Sequence, residues 1–173
     1  ARAAARRRGG RGGAAPARRR GRPPAAGIGL TAARRALVVT GSAGPLTGPY
    51  VATLTPVANI AVGDETPWGP AAELAELLPS TTADLYPQGA TAGEILAAAG
   101  ERTVVAVVRD AHRHPWMTEV LDALVEARPD TVVVEMGLPR AEPRGALHIA
   151  THGAARVCGR AAAEVVAGAV TGV

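Results

Sequence analysis

The segments VVAVVRDAHRHPW (104–116), TVVVEMG (131–137) and ALHIATHG (146–153) decide the fold of this chain. Each begins with an apolar, mostly β-branched run, as expected of a strand buried on both faces. Each then ends in a polar cluster. In an open α/β sheet, ligands collect beyond the carboxyl ends of parallel strands. The three polar clusters therefore predict a single rim that carries the candidate functional residues.

Helix signals alternate with these strands. The segment TAGE (91–94) is a capping box that opens a helix ending at Gly100. Pro115 opens a second helix, whose apolar positions keep i, i+3, i+4 spacing. This alternation predicts an α/β fold, a doubly wound sandwich with a mostly parallel sheet. Weaker patterns predict three more helices: one over 31–37 that leads into the apolar run 36–39, one from Pro70 and a closing one over 155–167. They also predict extended segments over 50–54 and 59–62.

The charge of the chain is divided unevenly. Residues 1–35 hold eleven arginines and no acid, whereas residues 36–173 hold eight arginines and fifteen acids, a net charge of −7. Residues 1–26 are of low complexity, rich in Arg, Gly and Ala, and predict a disordered basic tail ahead of an α/β domain over 27–173. The tail has no aromatic residue to stack on bases. We therefore favour a spacer over a nucleic-acid arm, and nucleic acid is not an expected partner.

Composition excludes several other classes. The single cysteine, Cys158, rules out an internal disulfide. No apolar run approaches the ~20 residues that span a bilayer, and the start of the chain lacks the apolar segment of a secretory signal. We expect a cytoplasmic protein without a membrane partner. Neither a dinucleotide-binding nor a P-loop motif is present, so no cofactor is expected.

The catalytic candidates on the predicted rim are Asp110, His112 and Glu135. Asp110 with His112 or His152 is a candidate acid–base pair, in which a carboxylate orients an imidazole. Asp110 and Glu135 are alternatively candidates for the two carboxylates of a glycosidase. The third interpretation is structural: an ion-pair network of Arg109, Asp110 and Glu135 at the sheet edge. The sequence favours the structural interpretation somewhat.

His112 and His114 form an H-x-H pair immediately before Pro115. A metal site requires at least three ligands with compatible geometry. Because an H-x-H pair alone is a weak metal signal, no metal is expected. The alternative is that the two histidines cap the helix that opens at Pro115.

The 103–116, 132–137 and 151–156 segments, with the lead-in at 27–37, resemble the C-terminal domain of bacterial family 3 glycoside hydrolases. The nearest subgroup is the actinobacterial β-N-acetylhexosaminidase-like proteins. The resemblance covers roughly residues 27–168. It implies a carbohydrate-metabolising hydrolase in which a (β/α)8-type barrel carries the aspartate nucleophile and this α/β domain packs beside it.

The resemblance also implies an accessory role. This chain has no room for a barrel, which needs ~250 residues, so its own activity is uncertain. The expected partners are the barrel domain and, through it, a carbohydrate, with Arg109, His114 and His152 as substrate-binding residues. With no barrel beside the domain, we expect Trp68 or Trp116 to be substantially exposed. The alternative function is a stand-alone α/β binding module without catalytic activity.

Overall fold

A computed structural model describes residues 27–56 and 68–168. Within these ranges six strands form one sheet in the order β1-β6-β5-β4-β2-β3, in which β1 is antiparallel to β6 and the other neighbours are parallel. The strands are β1 (Val38–Gly41), β2 (Tyr50–Thr55), β3 (Thr82–Pro87), β4 (Val104–Val108), β5 (Val132–Glu135) and β6 (Leu147–Ala150). The helices are α1 (Ile28–Ala36), α2 (Ala71–Leu77), α3 (Ala92–Ala99), α4 (Pro115–Ala127) and α5 (Arg156–Val166).

The helices cover both faces of the sheet. On one face, Ala33, Leu74 and Ala162 of α1, α2 and α5 pack against the strands in one hydrophobic cluster. On the other face, Ile95 of α3 and Leu121 of α4 belong to a second cluster. Every residue of β4 and β5 is buried, which explains their continuous apolar sequences. The predicted doubly wound α/β sandwich is confirmed.

The strand register brings three strand ends level. Val108, the last residue of β4, pairs with Glu135 of β5, and Glu135 pairs with Ala150 of β6. The three strands are parallel, so the segments that follow them leave the same edge of the sheet. The polar clusters therefore share one rim, as the sequence predicts.

The local signals that predicted the central helices are confirmed. Thr91 accepts a hydrogen bond from the Glu94 N–H, and the Glu94 carboxylate accepts one from the Thr91 N–H, so the capping box opens α3. Pro115 occupies the first turn of α4. The lead-in helix begins earlier than predicted, at Ile28, and the closing helix covers Arg156–Val166.

The sequence did not predict β3. This strand lies at the sheet edge, and its residues are largely exposed, Leu85 by 72%. Asp84 and Pro87 are also poor strand formers, and proline within sheets is confined to edges, strand ends and bulges. At the opposite edge β1 is exposed along its length.

Two other sequence predictions have different outcomes. The tryptophan prediction is wrong, because Trp68 and Trp116 are both partly buried and pack against the two hydrophobic clusters. The predicted tail over 1–26 and the extended segment over 59–62 lie outside the described residues.

Over the part of the chain that the structure describes, every helix is too short or too polar to cross a bilayer.

Candidate functional site

A cleft of about 510 Å3 opens at the carboxyl ends of β4, β5 and β6. Its walls come from the three segments that follow these strands, which we name the β4, β5 and β6 loops (109–114, 136–146 and 151–155). The lining residues are Arg109, Asp110, His112, Arg113, Met136, Gly137, Leu138, Arg140, His152, Gly153 and Ala154. This cleft thus lies where this type of sheet collects ligands.

Glu135 holds two of these loops together from below. It ends β5 and is only 5% exposed. Its Oε1 accepts the backbone N–H of Asp110 at 2.8 Å and of Gly137 at 2.7 Å, and its Oε2 accepts that of Ala111 at 3.2 Å. Burying a charged carboxylate without partners would cost free energy, and these backbone amides supply the partners.

The β6 loop is attached to the same residue through the main chain. The N–H of Thr151 donates to the carbonyl oxygen of Glu135 at 3.0 Å. The Thr151 hydroxyl then donates to the carbonyl oxygen of Gly153 at 2.8 Å. Glu135 thus connects all three loops, the first two through its carboxylate and the third through its carbonyl group.

Two cleft residues have unusual backbone conformations. In the described ranges, Asp110 (φ 52°) and His152 (φ 56°) are the non-glycine residues with positive φ. Such residues persist where the surroundings fix them, and they cluster at functional sites. Asp110 is fixed by its N–H bond to Glu135 and by the Leu138 N–H, which donates to Asp110 Oδ1 at 3.0 Å.

The close approach of the β4 and β5 loops requires glycine at position 137. A Cβ on Gly137 would lie 2.6 Å from the backbone nitrogen of Asp110 and would also overlap the Asp110 carboxylate. Real Cβ atoms do not approach a backbone nitrogen so closely. The glycine therefore lets the Asp110 carboxylate and the Leu138 amide meet across the floor of the cleft.

The structure brings together most of the predicted site residues. Arg109, Asp110, His112 and His152 line the cleft. Glu135 lies beneath it, and His114 stands at the amino end of α4, outside the lining. Arg113 and Arg140 also line the cleft, and neither was predicted as a site residue. Arg113 lies between the two histidines of the H-x-H pair, and Arg140 lies in a loop of glycines and prolines that gives no local signal of its position.

The geometry corrects two structural interpretations. Glu135 is a structural group, but its partners are backbone amides, and Arg109 forms no ion pair with any carboxylate of the described residues. The amino end of α4 has no side-chain cap, so neither His112 nor His114 caps it. Across 27–56 and 68–168, His, Cys, Asp and Glu form no group of three that could hold a metal ion.

The cleft holds one lining carboxylate, that of Asp110. Most retaining and inverting glycosidases use a pair of carboxyl groups that flank the scissile bond. Glu135 does not line the cleft, and its carboxylate accepts three backbone amides below the floor. The described lining residues therefore do not supply that pair.

His148 is buried in β6 rather than exposed at the cleft. Its Nδ1 accepts the backbone N–H of Arg144 at 3.2 Å, which requires an unprotonated Nδ1. Burial lowers the pKa of His148 from its ordinary value. This histidine is therefore a neutral structural group.

The fold and the cleft define an open α/β sandwich with a cleft at the carboxyl edge of its sheet. No family model matches the chain, and no curated protein matches it. Among solved structures, the chain is similar to a glycoside hydrolase family 3 β-N-acetylglucosaminidase from Paenibacillus sp. str. FPU-7, with a TM-score of 0.64 and 19% identity. The match covers 82% of this chain and 30% of that protein. The chain thus has the fold of a part of a family 3 enzyme.

Proposed function

We propose that this chain is the accessory C-terminal α/β domain of a family 3 glycoside hydrolase of the β-N-acetylhexosaminidase type. It would pack beside a catalytic barrel and shape one side of the sugar site. The observation that carries the proposal is the fold similarity, which covers 82% of this chain but only 30% of the Paenibacillus enzyme. A match to a minor part of a longer enzyme is what an accessory domain would give.

The cleft supports this role chemically. Arg109, His112 and His152 offer N–H donors for sugar hydroxyl and acetamido oxygens. Asp110 offers an acceptor, held in place by its bonds to Glu135 and Leu138. Glu135 acts as a positioning residue, because its oxygens are occupied by backbone amides. The reacting groups, including the aspartate nucleophile, would come from the barrel partner, since the cleft holds one lining carboxylate.

The test begins with the coding DNA upstream of Ala1 and the expression of the whole reading frame. We expect a barrel sequence upstream and hydrolysis of an aryl β-N-acetylglucosaminide by the complete product. Arg109→Gln and His152→Gln should each raise KM about tenfold, because each removes a polar contact of about 1.4 kcal/mol. Arg35→Gln, which changes an exposed arginine on α1, is the matched control and should leave KM unchanged.

Three outcomes would contradict the proposal. The first is a start codon directly upstream of Ala1 with no barrel in the frame, which would favour a stand-alone α/β binding module. The second is an unchanged KM in both cleft variants. The third is turnover by the 173-residue chain alone that Asp110→Asn abolishes, which would give this domain its own catalytic group.

A further inference from the structure

The arginines of the cleft, together with Arg35 on α1, differ from the other arginines in the described ranges because their side chains have no hydrogen-bond or ion-pair partner there. The arginines outside the cleft, except Arg35, donate to carboxylate, hydroxyl or carbonyl oxygens of the protein; these are Arg34, Arg102, Arg128, Arg144, Arg156 and Arg160. Arg109, Arg113 and Arg140 make no such hydrogen bond or ion pair within residues 27–56 and 68–168. All three line the cleft.

Among the described residues, the acid that lines the cleft and the acid buried beneath it do not neutralise these arginines. Asp110 is the lining acid, and its Oδ1 already accepts the Leu138 N–H. Glu135 is buried below the floor, where its carboxylate accepts backbone amides. Counting both acids against the three guanidinium groups still leaves a positive charge. This excess is local, because residues 36–173 carry a net charge of −7.

Three like charges that share one cleft repel each other, and an anion placed between them would relieve that repulsion. The planar guanidinium group also matches the paired oxygens of a carboxylate or phosphate. The β6 loop adds to this preference, because α5 begins just after Ala154 and the amino end of a helix favours negative charge.

We propose that the cleft binds an anionic group, a carboxylate or a phosphate, carried by its sugar ligand. Arg113 and Arg140 would hold the anion, and Arg109 would donate both to the anion and to the neutral part of the sugar, which His152 and Asp110 also contact. The identity of the ligand as a sugar depends on the proposed function. The anion site itself depends only on the three cleft arginines, which have no partner among the described residues.

Titration calorimetry on the whole chain tests this with four probes: inorganic phosphate, N-acetylglucosamine 6-phosphate, glucuronic acid and N-acetylglucosamine. We expect one of the two anionic sugars to bind at least about tenfold more tightly than neutral N-acetylglucosamine. Which of the two binds identifies phosphate or carboxylate as the recognised group. Arg109→Gln and Arg140→Gln should each weaken that binding about fivefold or more, whereas Arg35→Gln should leave it unchanged. Added salt should weaken the anionic probes alone.

Equal binding of neutral and anionic sugars would overturn the anion site. So would binding of none of the probes, or an equal loss in Arg35→Gln. The outcome is separable from that of the proposed function. Selective anion binding without hydrolysis by the product of the whole reading frame would contradict the hydrolase role and support the anion site. Hydrolysis without anion selectivity would support the hydrolase role and contradict the anion site.

Discussion

Replacing Glu135 by glutamine tests the residue on which the shape of the cleft depends. The glutamine oxygen can still accept the two N–H groups of Asp110 and Gly137 that Oε1 accepts, at 2.8 and 2.7 Å. Its NH2 group would face the Ala111 N–H, which donates to Oε2 at 3.2 Å. The charge-assisted bond from the Ala111 N–H is thereby lost, and two N–H donors face each other in its place. The bonds from the Asp110 and Gly137 N–H groups remain, but their acceptor is no longer charged. Losing a hydrogen bond to a charged group costs about 1.5–3 kcal/mol, so we expect a loss of about 2 kcal/mol.

Urea denaturation of the whole chain measures this loss. A change of about 2 kcal/mol corresponds to a Tm lower by about 4–8 °C in a chain of this size. Glu119→Gln is the matched control, because Glu119 is exposed on α4 and should change stability by less than about 0.5 kcal/mol. If Glu135→Gln is as stable as Glu119→Gln, the three amide bonds do not hold the loops and the reasoning is refuted.

Three further predictions concern other positions. Gly137→Ala should lower the unfolding free energy by about 1–3 kcal/mol, because the new Cβ would overlap the β4 loop. Gly93→Ala on α3, whose Cβ would meet Thr91 Oγ1 at an ordinary 3.9 Å, should not destabilise the chain; equal effects of the two variants in urea would contradict this. Burial holds the folded-state pKa of His148 below its ordinary 6.5, so the stability that neutral His148 gives the fold is complete above pH 6.5 and is lost as the pH falls through the folded pKa. His148→Gln should therefore flatten the pH profile of the unfolding free energy in that window. An unchanged slope would count against the burial argument. Arg34→Gln removes the two-bond ion pair between α1 and α5 and should lower Tm slightly, by a difference that shrinks in high salt, whereas Arg35→Gln should not.

The central part of the fold was predictable because its signals are local. The β-branched runs of β4 and β5, the capping box of α3 and the proline that opens α4 each require only a few neighbouring residues. Parallel strands joined by helices then place their carboxyl ends at one edge. The edge strand β3 was not predictable in this way, because its exposed residues have neither an apolar run nor a clear alternation.

The candidate site was predictable in its location but not in its roles. The sequence places Asp110 and Glu135 on the same rim, and this is correct. Whether a carboxylate faces a ligand or a set of backbone amides depends on how closely two distant loops approach, which the Gly137 contact determines. The same limit applies to Arg140, whose position in the cleft follows from the path of a long loop rather than from neighbouring residues.

Amide hydrogen exchange on the 15N-labelled whole chain tests most directly the claim that Glu135 joins the loops into one cleft. The N–H groups of Asp110, Ala111 and Gly137 lie in loops, yet each donates to the Glu135 carboxylate. We predict that they exchange as slowly as the amides of β4, while the exposed His112 exchanges quickly, and that Glu135→Gln speeds the exchange of Ala111 above all. Exchange of these three amides at the rate of His112 in the unmodified chain would contradict the account.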